Sequence, residues 1–105
     1  MQPLKLELAL PPEPAELRAR TWALAGQDPA GVTDLLGRGD WVADPLWRCW
    51  GPALEPAGMG RDQLRRIAVD YRRELWFWVM GERTWAQCVA GLLGRVRRRL
   101  PESSP

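Results

Sequence analysis

From Arg61 to Met80 apolar residues return every three or four positions, at Leu64, Ile67, Ala68, Tyr71, Leu75, Trp78 and Val79. Residues so spaced share one face of an α-helix. The pattern predicts a single helix over 61–80, roughly 30 Å long at about 1.5 Å per residue. Gly81 stands where a left-handed terminator would end it. Thr84 and Gln87 then match the capping-box spacing of a new helix start, and Trp85, Cys88, Val89, Leu92, Val96 and Leu100 form its apolar stripe before Pro101. A connection as short as Gly81 to Thr84 predicts a helical hairpin over 61–100, antiparallel or steeply crossed.

The first half is patterned differently. Leu4, Leu6, Leu8 and Leu10 alternate with Lys5, Glu7 and Ala9, the period of a strand with one apolar face. No second strand is legible, so residues 1–12 are expected either as an extended arm laid on the helices or as a strand paired across a dimer. Over 13–57 the chain reads as three short helices joined by Gly/Pro turns. Pro14 suits the first turn of one that runs to about Ala25 and stops at Gly26. Asp28-Pro29 opens a second that Gly37 closes, and Asp44-Pro45 opens a third that Gly51-Pro52 ends. Gly58-Met59-Gly60 reads as a flexible joint and 101–105 as a frayed tail. The expected fold is mainly α, one small helical domain in which short N-terminal helices clasp a C-terminal two-helix hairpin.

The stretch Leu75-Trp76-Phe77-Trp78-Val79-Met80 is apolar without a break, and Trp76, Phe77 and Met80 fall off the core stripe. A helix apolar on every side must be covered on every side. Either the N-terminal helices fold over this surplus with Trp22, Trp41, Trp47 and Trp50, or it is an interface, where tryptophan and arginine are the usual anchors. On the last helix Ala90, Gly91 and Gly94 lie opposite the apolar stripe. Interior glycines cost a helix about 1 kcal/mol each, which close approach of another backbone would offset; the other reading is a bend near Gly94. The candidate interface is therefore Trp76, Phe77, Met80, Leu4, Leu6, Leu8, Gly91 and Gly94. Association with a second copy as a homodimer, or with another protein, is the expected role.

Composition adjusts this picture in two ways. A chain of 105 residues, 46% hydrophobic and 27% charged, fits one domain with one modest core. Fourteen of its 15 basic residues are arginine, and histidine and asparagine are absent. That bias is the one expected of G+C-rich coding DNA and hence of a bacterial source, so part of the arginine count is compositional. Arg95, Arg97, Arg98 and Arg99 still place four positive charges at one helix end. There they oppose the negative end of the helix dipole. The alternative is a phosphate-contacting patch, joined by Arg61, Arg65, Arg66, Arg72 and Arg73, on a nucleic-acid-binding accessory or regulatory protein. No Asn, Gln or Lys series accompanies these arginines to read bases, and the net charge is only +2.

Catalytic chemistry is poorly supplied. There is no histidine to act as base, no glycine-rich phosphate loop, and no activating neighbour for a serine or cysteine. Cys49 and Cys88 stand 39 positions apart without CxxC spacing, so neither a metal site nor a cofactor is expected and both read as free, buried thiols. Asp70 and Glu74 share a helix face, but Arg66 and Arg73 lie within four residues of Asp70 and predict an exposed ion-pair ladder. An enzyme would have to run on carboxylates, arginine or a thiol alone, or use a small-molecule pocket among the tryptophans. Arg38-Gly39-Asp40 spells an adhesion tripeptide that chance accounts for in so arginine- and glycine-rich a chain. Lys5 and Glu7 interrupt the N-terminal leucines, and no run approaches the ~20 apolar residues of a membrane span, so a cytoplasmic location without a membrane partner is expected.

Overall fold

In the computed structural model, which describes residues 8–100, six helical segments follow one another: α1 (Ala15–Gln27), α2 (Pro29–Arg38), α3 (Asp40–Leu54), α4 (Arg61–Asp70), α5 (Arg72–Met80) and α6 (Trp85–Arg99). The described chain is mainly α, and the N-terminal helices α1–α3 pack against the three C-terminal segments α4–α6. Several boundaries sit where local chemistry puts them. The Asp28 carboxylate accepts the Gly31 N–H at 3.0 Å, with Pro29 at the first helical position of α2. Gly81 ends α5 in the left-handed region at φ 87°. At the head of α6, the Gln87 N–H donates to Thr84 Oγ1 at 3.1 Å and the Thr84 N–H donates to Gln87 Oε1 at 2.9 Å, the reciprocal pair of a capping box.

Other boundaries depart from the sequence pattern. The third helix begins at Asp40, not at Asp44-Pro45, and runs through both Pro45 and Pro52 to Leu54. Its true start is set one residue upstream by Gly39, which is left-handed at φ 73° and lies under α4: a methyl there would come within 2.6 Å of the Arg65 carbonyl oxygen and 2.7 Å of Val69 Cγ2. Gly51 does not stop α3 either; the Trp47 ring folds back over it and occupies the space a side chain would need. Trp41, Val42, Leu46, Trp50 and Leu54 make one buried stripe along α3, and packing that stripe on α4 overrides the proline signals.

The predicted 20-residue helix over 61–80 is likewise two segments, broken at Tyr71 (φ −99°, ψ 10°), whose N–H is shared between the Ile67 and Ala68 carbonyls at 3.0 and 3.2 Å. The Arg72 guanidinium donates to the Val69 carbonyl at 2.8 Å beside the break. Gly58-Met59-Gly60 is a tied turn and no loose joint. Met59 is fully buried and its N–H donates to the Leu54 carbonyl at 3.0 Å.

One cluster of buried side chains joins α3, α4, α5 and α6 through Leu46, Trp50, Leu64, Ile67, Leu75, Trp78, Val89, Leu92 and Val96. α1 lies on α5 and α2, and α2 also touches α3 and α4. Trp78 sits at the middle of the cluster, its ring 4.8 Å from Trp85 and 6.3 Å from Trp41 between centroids. Among the described residues no helix is long and apolar enough to cross a membrane.

Candidate functional site

α5 buries Leu75, Trp78 and Val79 and leaves Trp76, Phe77 and Met80 half-buried. α1 is what covers part of this surplus. Arg18 donates from Nε to the Trp78 carbonyl at 3.0 Å, which also accepts the Gly81 N–H at the end of α5 at 3.0 Å. Thr21, one turn on, is buried with its hydroxyl turned to the Leu17 carbonyl at 2.8 Å. These contacts fix the roll of α1 on α5 and bring Trp22 over Trp76, with ring centroids 6.3 Å apart and planes inclined at 32°. Trp22 remains 57% exposed, an unusual state for the largest apolar side chain. Beside it Arg73 and Arg83 hold their guanidinium carbons 5.7 and 5.9 Å from the Phe77 ring centroid, a distance at which cation and ring attract. The face made by Trp22, Trp76, Phe77 and Met80 therefore joins aromatic surface to arginine at the seam of two helices.

The remaining residues singled out in the sequence are distributed as follows. Leu4 and Leu6 lie outside the described residues. Leu8 packs against the core of its own chain. Gly91 meets the Tyr71 hydroxyl: a methyl built there would overlap that oxygen and come within 2.5 Å of Tyr71 Cζ. The close approach expected at this glycine is thus made by a side chain from α4–α5 and not by a helix backbone. Gly94 faces open space.

The four arginines of α6 divide. Arg95 lies over the Tyr71 ring at 5.0 Å, and Arg99 bonds the Asp70 carboxylate at 2.8 Å. Asp70 is therefore held by α6, in place of the ladder with Arg66 and Arg73. Arg97 and Arg98 are exposed. Ile67, Asp70, Arg95, Arg98 and Arg99 line an open recess of about 140 Å³.

Both cysteines are free, with Cys88 buried and Cys49 half-buried. Burial pushes the Cys88 thiol up to about 11, which leaves it protonated and a poor nucleophile at neutral pH. Tyr71 is raised too, first by burial and then by its neighbours Cys88 and Glu74. Among the described residues no three His, Cys, Asp or Glu side chains come together in a metal-holding group. No family model, curated protein or solved structure matches this chain, so no relative supplies a role for the α1–α5 face.

In the sequence reading Trp22 is one of the side chains that fold over Trp76, Phe77 and Met80 in the alternative without an interface, and not itself an interface candidate. A signal was present: Leu17, Thr21 and Leu24 are the positions of α1 at helical spacing that turn inward, and Trp22 stands beside that stripe, not on it.

Proposed function

We propose that this protein acts by protein–protein association through the α1–α5 face, with a second copy of the chain as partner in a homodimer of a cytoplasmic bacterial protein. The observation that carries the reading is Trp22, 57% exposed and inclined over the half-buried Trp76, where folding has left a large indole at the surface. Tryptophan and arginine are the side chains most enriched among interface anchors, and here Arg73 and Arg83 flank the aromatic surface. Tyr71 fills the notch at Gly91 and the body of the chain engages Leu8, so the interface proposed centres on Trp22, Trp76, Phe77 and Met80.

Size-exclusion chromatography with light scattering tests it. The wild type should give twice the chain mass at high micromolar concentration. Trp22→Ser should weaken the dimer at least about 30-fold, the effect of losing an anchor worth about 2 kcal/mol. A wild-type monomer under those conditions ends the self-association reading. The exposure of Arg97 and Arg98 keeps a nucleic-acid reading in second place. That binding would fall steeply with added salt, whereas an indole-centred dimer would not.

A further inference from the structure

Charge is divided unevenly along the described chain. Residues 8–60 carry seven carboxylates against four arginines, whereas 61–100 carry ten arginines against four carboxylates. Part of this basic excess gathers where the last turns of α4 and α6 meet, around the open recess of about 140 Å³ lined by Ile67, Asp70, Arg95, Arg98 and Arg99. Arg95 and Arg99, four positions apart, share one side of α6 with Arg98 next to them. Arg97, two positions from each of that pair, points the other way and takes no part in the lining.

Two of the three guanidiniums are positioned by the fold. Arg95 lies over the Tyr71 ring at 5.0 Å, and Tyr71 is itself seated against Gly91. Arg99 is bonded to the Asp70 carboxylate at 2.8 Å, which uses one nitrogen of a fork that carries five N–H donors. Arg98 is exposed, and neither it nor Arg95 forms an ion pair among the described residues. Other arginines serve the helix ends: Arg97 opposes the negative end of the α6 dipole, and Arg72 bonds the Val69 carbonyl at the end of α4.

Three arginines against the single carboxylate of Asp70 leave the lining with two positive charges. A phosphate monoester is a dianion above its second pKa of about 6, and its three terminal oxygens suit planar, forked donors. The charges match, whereas a carboxylate or a phosphodiester brings only one. The recess has room for a phosphate group and little of its bearer, being well below the roughly 300–1,000 Å³ of pockets that enclose a whole small molecule. We propose that this recess binds the phosphate group of a monoester through Arg95, Arg98 and Arg99, with the rest of the ligand outside. The site is separate from the α1–α5 face, so oligomeric state does not bear on it. It differs from a patch for nucleic-acid backbone in requiring the second negative charge.

Methyl phosphate titrated into the full chain at fixed low ionic strength, followed by the carbon-detected Nε–Cζ signals of the arginines, tests it. Near neutral pH the Arg95, Arg98 and Arg99 signals should follow one saturating curve while Arg97 stays in place. Affinity should fall at least about fivefold by pH 5, where the monoester is mostly a monoanion; sulfate, a dianion throughout, should hold within about twofold and so controls for Asp70. Dimethyl phosphate, a diester with one charge, should bind at least about fivefold more weakly than the monoester. Arg98→Gln should cost at least about fivefold, Arg97→Gln, with the same change in net charge, less than about twofold, and Asp70→Asn should tighten binding. A short DNA strand with a 5′-phosphate separates the two sources of a monoester: an affinity equal to that of methyl phosphate marks a small-molecule ligand, and a gain of at least about tenfold marks a strand end. Equal binding of the same strand with a 5′-hydroxyl, equal losses in Arg97→Gln and Arg98→Gln, or no saturable shift at Arg95, Arg98 and Arg99 overturns the proposal.

Discussion

Gly91 and Gly94 lie on the same helix three positions apart, and the structure requires opposite responses to the same change. Replacing glycine by alanine inside a helix gains about 1 kcal/mol from the unfolded chain's lost freedom. At Gly94 a methyl meets nothing within 4 Å, so that gain should appear in full. At Gly91 the methyl overlaps the Tyr71 hydroxyl and comes within 2.5 Å of Cζ, where real contacts stay beyond 3.0 Å. Tyr71 has little room to withdraw, being 6% exposed and lying at the α4–α5 break with Arg95 5.0 Å from its ring centroid. Overpacking of this kind costs about 1–3 kcal/mol. Taking the upper end for so close an overlap, Gly91→Ala should lose about 2 kcal/mol net, and the two variants should differ by about 3 kcal/mol. In thermal unfolding that separation is roughly 12–24 °C for a domain of this size. Urea unfolding at a fixed protein concentration gives the free energies, and Tyr71→Leu combined with Gly91→Ala should recover at least about 1 kcal/mol of the clash in a double-mutant cycle. If Gly91→Ala proved as stable as Gly94→Ala, the account of how α6 closes on the kink would be wrong.

Three further outcomes are expected. Trp85→Phe strands the Pro11 carbonyl, whereas Trp41→Phe removes a buried indole N–H that has no partner among the described residues, so in urea Trp85→Phe should be the costlier by about 1 kcal/mol or more; the reverse order would refute a stabilising role for the Trp85–Pro11 bond. Gly39→Ala forces a side chain into a left-handed residue pressed on α4 and should cost about 2 kcal/mol or more, with circular dichroism showing the helices otherwise retained. Burial raises Cys88 from 9.0 to about 11, so the unfolded chain ionises first and stability, full below pH 9, falls as pH climbs towards 11. The raised Tyr71 adds to the same alkaline slope. Cys88→Val should flatten that leg of the urea midpoint profile by about 1–3 kcal/mol, and an unchanged slope would remove the thiol as its cause.

What was legible in the chain was what its own neighbours decide. The Thr84–Gln87 box, the Asp28-Pro29 start and the Gly81 stop are each satisfied by residues within four positions. The apolar stripes of α4, α5 and α6 could be read because they follow helical spacing alone. Features fixed by distant contacts were not legible. Asp44-Pro45 and Gly51-Pro52 look like helix ends locally, but the α3 stripe packed on α4 outweighs them. The Tyr71 side chain at the break packs against Gly91 of α6, and Asp70 finds Arg99 on α6 in preference to the arginines beside it. For the candidate face, the pattern identified Trp76, Phe77 and Met80 as surplus to a single stripe. That α1 would bring Trp22 to them depended on Arg18 reaching the Trp78 carbonyl, a contact between residues 60 positions apart.

The arm illustrates a wider constraint. A tryptophan carries a large apolar body and one N–H that must find an acceptor when buried. Mid-helix carbonyls are already bonded four residues on, so a described fold made only of helices offers few free ones. Trp50, Trp78 and Trp85 are buried, and none of the three turns its N–H to a helix; all bond the segment where Pro11, Pro12 and Pro14 prevent a helix from forming. Trp41, packed on Trp78, has no hydrogen-bond partner among the described residues. The segment before α1 thus supplies the acceptors of these three tryptophans, the Ala9 and Pro11 carbonyls and the Glu13 carboxylate. An indole without such an acceptor must be orphaned, as Trp41 is, or remain at the surface, as Trp22 does. The same shortage is therefore a physical reason for the Trp22 indole to stay at the surface.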